Sequence, residues 1–187
     1  MSLGFGDLKR GLAIVLDGEP YSVVDYERSK MQQRAPVMRI RFKSLRTGRV
    51  VDRSFNGYDV KLTQANVERR EAQFLYDDND LYYFMDSESF EQFPLPRESI
   101  ENSIPYLVEQ INVDLVLYDD NPIAIELPLT VDLKVAQTDP GLRGDTAQGG
   151  TKPATTETGL IVQVPLFIEE GETLRIDTRS GEYLARV

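Results

Sequence analysis

The sequence predicts an all-β protein made of three small β-barrel domains in a row. Apolar and polar residues alternate with a period of two along most of the chain, and sustained helical periodicity is almost absent. Turn-forming pairs such as Asp17-Gly18 separate the apolar stretches. The 187 residues leave room for three modules, each of the size of the smallest barrels, about 60 residues. We place the domain boundaries at residues 1–66, 67–128 and 129–187.

The first domain is predicted to be a strongly curved barrel of short strands. Residues 11–16 and 21–26 flank the Asp17-Gly18 turn and form a hairpin. Residues 36–43 alternate apolar with basic, and a further strand follows over 50–55. The alternation places one set of side chains on the face opposite the core: Arg39, Arg41 and Lys43.

The second domain carries two further hairpins, over residues 68–85 and 113–127. Between them, residues 96–108 are the only helical stretch that the pattern supports, and Pro105 interrupts it. Five strands with one short helix are typical of an OB-fold. Several aromatic residues resemble a base-stacking platform, but packing in the core of so small a barrel is the favoured interpretation: Tyr82, Tyr83, Phe84, Phe90 and Phe93.

The third domain repeats this pattern with strands at residues 131–135, 159–165, 173–177 and 181–187, and it predicts a second OB-like barrel. The polar stretch from Gln137 to Thr158 is predicted to be a long loop. Loops of this length in compact domains are usually functional or disordered.

Composition excludes several chemistries. The chain has no Cys and no His, so it offers no thiolate nucleophile, imidazole base, disulfide or usual zinc site, and we expect no metal or cofactor. The carboxylate pairs Asp77-Asp78 and Asp119-Asp120 could suggest a glycosidase, but both fall in predicted turns. The N-terminus lacks a secretion signal and the apolar runs are too short to span a bilayer, so we expect a cytoplasmic protein.

Charge is divided unevenly along the chain. The net charge is −10, yet residues 1–66 hold 12 Lys and Arg against 7 Asp and Glu. Such a division would let one end meet phosphates while the rest is repelled by them. Residues 29–36 form a polar, basic connection between two strands of this basic end, as expected for a projecting loop.

Longer motifs make the chain resemble bacterial elongation factor P over essentially its whole length. The specific segments are Thr138–Thr146, Lys152–Gly159 leading into Val164-Pro165, and Asp177–Tyr183. Residues 9–12 and 17–21 give weaker support. The segment over residues 39–48 also resembles the elongation factor P-like paralogue, so a divergent subgroup is the alternative within the family.

The resemblance implies an SH3-like barrel followed by two OB-folds in an L-shape. It implies a monomeric, non-enzymatic factor that binds the ribosome, its RNA and peptidyl-tRNA, stimulates peptide bond formation and relieves stalling at consecutive prolines. The implied loop tip near the peptidyl-transferase centre contains Lys30, Met31, Gln32, Gln33 and Arg34. Arg39, Arg41 and Lys43 would contact the RNA backbone.

In many family members the tip carries a modified Lys, and in others a modified Arg. Aligning back from Thr47-Gly48 without gaps places Gln33 at the tip, and a shift of one residue would place Arg34 there. A neutral amide does not accept a lysine-type extension. The sequence therefore departs from the family at this position.

On the codon side, the resemblance assigns contacts with the exit-site codon, the small subunit and tRNA to Gly144, Asp145, Thr146, Arg179, Ser180, Gly181 and Tyr183. Two other functions stay open at this point. One is a stand-alone RNA- or oligosaccharide-binding OB-fold protein, and the other is a carboxylate hydrolase.

Overall fold

The computed structural model describes residues 2–29, 36–56, 61–140 and 150–187. These residues form sixteen strands, one short α-helix and two 3₁₀ turns, arranged in three sheets. The all-β prediction is therefore confirmed. The chain packs as two compact units, residues 1–70 with 115–124 and residues 71–114 with 125–187.

The first sheet has six strands in the order β1-β6-β2-β3-β4-β5, and a 3₁₀ turn at Phe5–Asp7 follows its first strand. The strands are β1 (Ser2–Leu3), β2 (Ala13–Leu16), β3 (Glu19–Ser29), β4 (Val37–Ser44), β5 (Val50–Asn56) and β6 (Leu62–Gln64). Asp17 and Gly18 join β2 to β3 with φ values of 53° and 85°. Both lie in the left-handed region that a two-residue type I′ turn requires, as predicted.

Strand β4 shows why this sheet has one dry face. Met38, Ile40 and Phe42 are at most 1% exposed and lie in the first core, whereas the residues between them are exposed. On β5, Phe55 lies opposite Met38 and Val51 opposite Phe42, whereas Ile40 lies opposite Arg53. The alternation that predicted the strand therefore also sets which side chains remain available to a partner.

The second sheet has five strands in the order β11-β10-β7-β8-β9. Its elements are β7 (Val67–Asp77), β8 (Leu81–Asp86), β9 (Gln92–Pro96), α1 (Arg97–Ile100), a 3₁₀ turn (Ile104–Tyr106), β10 (Asn112–Tyr118) and β11 (Asn121–Glu126). Helical structure lies where the sequence predicted it and is interrupted before Pro105.

The aromatic residues of this sheet mostly pack inward, as favoured above. Tyr82 and Phe84 are buried, and both rings contact Phe74, with centroids 6.0 and 5.5 Å away. Phe90 is 69% exposed in the turn after β8, and Tyr83 alternates with the buried Tyr82 and Phe84 and stacks on the exposed Tyr76 at 4.7 Å. The rings therefore stabilise the barrel, and they do not form a continuous stacking platform.

The third sheet also has five strands, in the order β14-β13-β12-β15-β16. They are β12 (Thr130–Thr138), β13 (Thr151–Thr156), β14 (Ile161–Pro165), β15 (Thr173–Asp177) and β16 (Tyr183–Arg186). The prediction of a loop from Gln137 to Thr158 is wrong over β13. Its buried positions are Lys152, Ala154 and Thr156, so polar residues hid the alternation.

Residues of the second domain pack against the core of the third. Tyr106, Val108 and Ile111 contact the cluster that contains Leu133 and Ile176. The Thr158 hydroxyl donates to the Pro105 carbonyl at 2.6 Å. The apolar side chains are buried against this core, and the Pro105 carbonyl has a hydrogen-bond donor. Both contacts hold residues 104–111 on the third domain.

Candidate nucleic-acid interface

The predicted RNA-contacting residues lie together on the outer face of β4. Arg39, Arg41 and Lys43 alternate with the buried residues of that strand and are exposed. The strands β3 and β4 pair from Tyr21 opposite Ser44 to Ser29 opposite Val37. The long antiparallel pair therefore ends at the residues that flank 30–36.

The predicted loop-tip residues Lys30, Met31, Gln32, Gln33 and Arg34 lie outside the described residues. The register of their flanks is nevertheless defined. Because Ser29 and Val37 are paired across the ladder, the two strands enter and leave this segment side by side. The pairing shows that β3 and β4 are antiparallel neighbours on either side of residues 30–36.

Carboxylates accompany two of the three β4 cations. Arg41 Nε donates to Asp52 Oδ1 at 3.0 Å, and Arg39 Nη1 donates to Glu27 Oε1 at 3.4 Å. Asp25, opposite Arg41 on β3, accepts a hydrogen bond of 2.8 Å from Arg10 Nη2. Side chains of this set are 50–74% exposed, so solvent screens each pair and its contribution to stability is small.

The ion pairs shift the titration of these groups in the expected direction. The hydrogen bond from Arg10 is the main cause that lowers the pKa of Asp25, and the hydrogen bond from Arg41 lowers the pKa of Asp52. Both carboxylates therefore stay ionised at neutral pH. Within the described part of the chain, the Lys43 side chain makes no ion pair, so it is the least compensated cation of the strand.

The carboxylate partners are what reasoning from the sequence missed on this face. Asp25, Glu27 and Asp52 lie beside the cations predicted to contact RNA, so this face is less positive than its three cations alone indicate. The strand register would have indicated these ion pairs, because Glu27 faces Arg39 and Asp52 faces Arg41 across adjacent strands. The bulge between Val23 and Asp25 shifts that register, and the sequence does not reveal it.

The second predicted group lies in the turn between β15 and β16. Arg179 donates from its backbone N–H to Asp177 Oδ1 at 2.8 Å and from Nη2 to Asp177 Oδ2 at 2.8 Å. The Ser180 N–H adds a weaker bond to the same carboxylate, at 3.3 Å. The structure therefore brings Arg179, Ser180 and Gly181 together in one turn organised by Asp177, and Tyr183 follows it in β16.

This turn predicts a measurable titration. The Arg179 side chain is the main cause that lowers the pKa of Asp177 from 3.8 to about 2. Because the folded-state pKa is depressed, the stabilising contribution is complete above 3.8 and disappears as pH falls through about 2. We expect carboxyl-carbon NMR to record this low value and Arg179→Ala to raise it. The Asp132 carboxylate, whose pKa Arg175 lowers, should stay low in that variant; an equal rise at both would contradict the assignment.

Gly181 has a structural role that the resemblance does not explain. Its φ is +73°, and a Cβ added there would lie 3.1 Å from the Tyr106 hydroxyl oxygen. Only glycine therefore allows the turn to lie against the 104–106 segment without strain. Packing alone therefore requires a glycine at position 181, whether or not this residue contacts the ribosome.

We expect Gly181→Ala to lower the free energy of unfolding by about 2–3 kcal/mol, of which about 1–2 kcal/mol is the left-handed backbone cost. Gly159→Ala is the matched control, because Gly159 has φ +83° but open space around its Cβ position. Chemical denaturation measures both. A loss no larger than that of Gly159→Ala would contradict the contact with Tyr106, and Tyr106→Phe should recover part of any excess.

Gly144, Asp145 and Thr146 lie outside the described residues. Hydrogen bonds join the two chain segments that flank residues 141–149. The buried Lys152 ammonium donates to the Asp139 carbonyl at 2.6 Å. The Thr138 hydroxyl donates to the Pro153 carbonyl at 3.0 Å. Lys152, the first residue of the Lys152–Gly159 motif, therefore has a structural role beside residues 141–149.

Of the carboxylate pairs considered for catalysis, Asp119-Asp120 lies in a turn, as predicted, whereas Asp77 is the last residue of β7 and only Asp78 lies in the connection to β8. Asp119 and Asp120 have φ values of 47° and 63°, the left-handed values of a two-residue hairpin turn. Asp78 Oδ1 accepts the Leu81 N–H at 3.0 Å. In the described ranges, no cluster of acidic side chains is arranged to hold a metal ion, and no helix is long and apolar enough to cross a membrane.

Comparison with protein families matches almost the entire chain. Residues 5–60 match the elongation factor P KOW-like domain, residues 67–125 the elongation factor P OB domain, and residues 131–186 the elongation factor P C-terminal domain. The KOW-like match supports the predicted SH3-like first barrel, and the OB match supports the predicted second barrel.

Curated relatives and solved structures agree with these matches. Elongation factor P of Moorella thermoacetica is 49% identical over 180 residues, covering 96% of this chain and 97% of the relative. The protein of the same name from Thermodesulfovibrio yellowstonii is 46% identical, covering 97% and 96%. A solved structure, eukaryotic translation initiation factor 5A from Methanococcus jannaschii, shares the fold with a TM-score of 0.50 and 22% identity, over 65% of this chain and 90% of that one.

Proposed function

The chain belongs to the elongation factor P family of translation elongation factors, and we propose that it stimulates peptide bond formation at consecutive prolines by positioning peptidyl-tRNA on the ribosome. Residues 30–34 approach the peptidyl-transferase centre, and the outer face of β4 follows the RNA backbone. The protein acts as a monomer in the cytoplasm, where translating ribosomes are found. Family membership favours this function over a stand-alone RNA- or oligosaccharide-binding protein and over a hydrolase.

The observation that carries the proposal is the β3–β4 pair. Strand β3 pairs with β4 from Tyr21 to Ser29, with one bulge between Val23 and Asp25. Strand β5 pairs with the other edge of β4 from Val37 to Lys43. Strand β4 is anchored in the first core by Met38, Ile40 and Phe42, whereas residues 24–29 of β3 are exposed, so the core holds this end of the stem through β4. A stem of this kind can hold the 30–35 segment at a fixed position relative to the barrel.

Positioning is sufficient chemistry for this reaction. Proline carries its nitrogen in a ring that fixes φ, which restricts the poses from which the amine reaches the ester carbon. Holding two reactants in a reactive pose lowers the barrier without any group of the factor entering the reaction. A chain with neither Cys nor His suits that role, and we propose that it is not an enzyme.

The remaining predicted contacts fit the same placement. We propose that Arg39, Arg41 and Lys43 contact RNA phosphates, which Arg and Lys side chains bind as bidentate and point-charge partners. On the codon side we assign Gly144, Asp145 and Thr146 together with Arg179, Ser180, Gly181 and Tyr183. The exposed Arg179 side chain, held by Asp177, supports this second contact. We place Gln33 at the tip, acting as an unmodified amide.

A reconstituted bacterial translation system without its own factor tests the proposal. We expect the purified chain to co-sediment with ribosomes and to raise the yield from a message with three consecutive proline codons by about tenfold or more. A message with alanine codons at those positions is the control and should be unaffected. Equal yields from the proline message with and without the protein would contradict the proposed function.

A further inference from the structure

The outer face of the first sheet carries its charges in rows of alternating sign. One row runs from Arg10 through Asp25 and Arg41 to Asp52, in which Asp25 faces Arg41 and Arg41 faces Asp52 in the strand register. A second, shorter row joins Glu27 to Arg39. We call these residues the charge ladder. A face meant only to bind phosphate would not need its acidic members.

The acidic members compete directly with phosphate. Asp52 uses both oxygens on Arg41, at 3.0 Å to Nε and 3.5 Å to Nη2. This is the edge of the guanidinium group with which arginine also binds phosphate oxygens. A phosphate that approaches Arg41 must therefore displace Asp52 and stay close to two carboxylates that repel it.

Displacement is favourable only when other contacts hold the phosphate in place. A free RNA strand supplies no such contacts, and it gains little by exchanging one anionic partner of Arg41 for another. An RNA surface on which the factor is already anchored at other points presents its phosphates at a high effective concentration. The exchange then costs little, because the ion pairs of the ladder are exposed to solvent.

We propose that Asp25, Glu27 and Asp52 are specificity determinants that keep Arg10, Arg39 and Arg41 from binding RNA indiscriminately. The inference rests on the proposed function, in which this face meets RNA, and it names the acidic residues as the reason that the face discriminates. Specificity of this type comes from a built-in repulsive element as well as from attraction. The variant Asp52→Asn should therefore bind more RNA, and it should do so through Arg41.

Poly(U) is the probe, with affinity measured by fluorescence anisotropy between 50 and 300 mM KCl, a range of about sixfold in salt. We expect Asp52→Asn to bind about fivefold more tightly near 0.1 M salt and to steepen the logarithmic salt slope by about 0.7, the value for one additional phosphate contact on a single strand. The matched control is Asp7→Asn. It removes the same charge from the same domain, but Asp7 accepts the Gly4 N–H and has no arginine partner.

The double variant Asp52→Asn with Arg41→Gln should lose the gain in affinity. Gains that are equal in Asp52→Asn and Asp7→Asn, or a gain that survives the loss of Arg41, would overturn the inference. Ribosome co-sedimentation of Arg41→Gln tests the proposed function separately. Unchanged ribosome binding there would count against the RNA contact of Arg41 on the ribosome, whereas the poly(U) result would still decide the role of Asp52.

Discussion

Replacing residues 30–35 by a short Gly-Ser turn should abolish the stimulation of translation through consecutive prolines. If these residues hold the end of peptidyl-tRNA in a reactive pose, their loss returns the reaction to its unassisted rate, a decrease of about a hundredfold in the affected step. The stem strands and the cations of β4 remain, since Ser29 and Val37 lie outside the replaced segment. Rapid-quench measurement of dipeptide formation with proline acceptors gives the rate directly.

A shortened turn elsewhere provides the control for this experiment. Residues 78–80 connect β7 to β8 in the second domain, and the same Gly-Ser replacement there should leave the rate unchanged. Ribosome co-sedimentation should separate the two effects of the 30–35 replacement, because most phosphate contacts of β4 persist while catalytic assistance is lost. A variant that binds ribosomes and still stimulates at the wild-type rate would contradict the assignment of the tip.

The sequence predicted the parts of the fold that depend on local pattern. Strand β4 followed from the alternation of Met38, Ile40 and Phe42 with charged residues, and the β2–β3 turn followed from Asp17-Gly18. Strands β1 and β6 did not, because their pairing of Ser2 with Thr63 joins residues far apart in sequence. Short strands of this kind owe their existence to the closure of the sheet and carry no periodicity of their own.

Buried polar residues account for the failure at β13. A strand whose core positions hold Lys152 and Thr156 has the composition of a loop. In the fold, the lysine ammonium bonds to the Asp139 carbonyl, and the Thr156 and Thr158 hydroxyls bond to each other at 2.9 Å. Burial of such groups is acceptable only where partners are supplied, and the partners Asp139 and Thr158 both lie outside the strand. A sequence pattern does not show them.

The sequence predicted which cations lie on the candidate site, but it did not predict the carboxylates that lie beside them. Arg39, Arg41 and Lys43 lie on one exposed face, as the period of two requires. Their carboxylate partners come from β3 and β5, and the register between β3 and β4 depends on a bulge. The three cations alone therefore overstate the positive potential that an approaching phosphate would meet.

Removal of the three β4 cations should have the second largest effect. We expect the triple variant Arg39→Gln, Arg41→Gln and Lys43→Gln to bind ribosomes about a hundredfold more weakly, since each cation lost from a phosphate contact reduces affinity by about fivefold near 0.1 M salt. The dependence of affinity on salt should become shallower in the same variant. Equilibrium sedimentation over a range of KCl concentrations measures both quantities.

A control with the same change of charge separates contact from net charge. Arg69→Gln, Arg97→Gln and Lys134→Gln also remove three exposed cations, but these belong to the second and third domains. If only the overall charge of −10 mattered, both triple variants would lose equal affinity. A specific contact predicts that the β4 variant loses far more and that its salt slope alone decreases. Because the ladder then holds unpaired carboxylates, repulsion adds to the loss, and Asp52→Asn in the triple background should restore part of the binding.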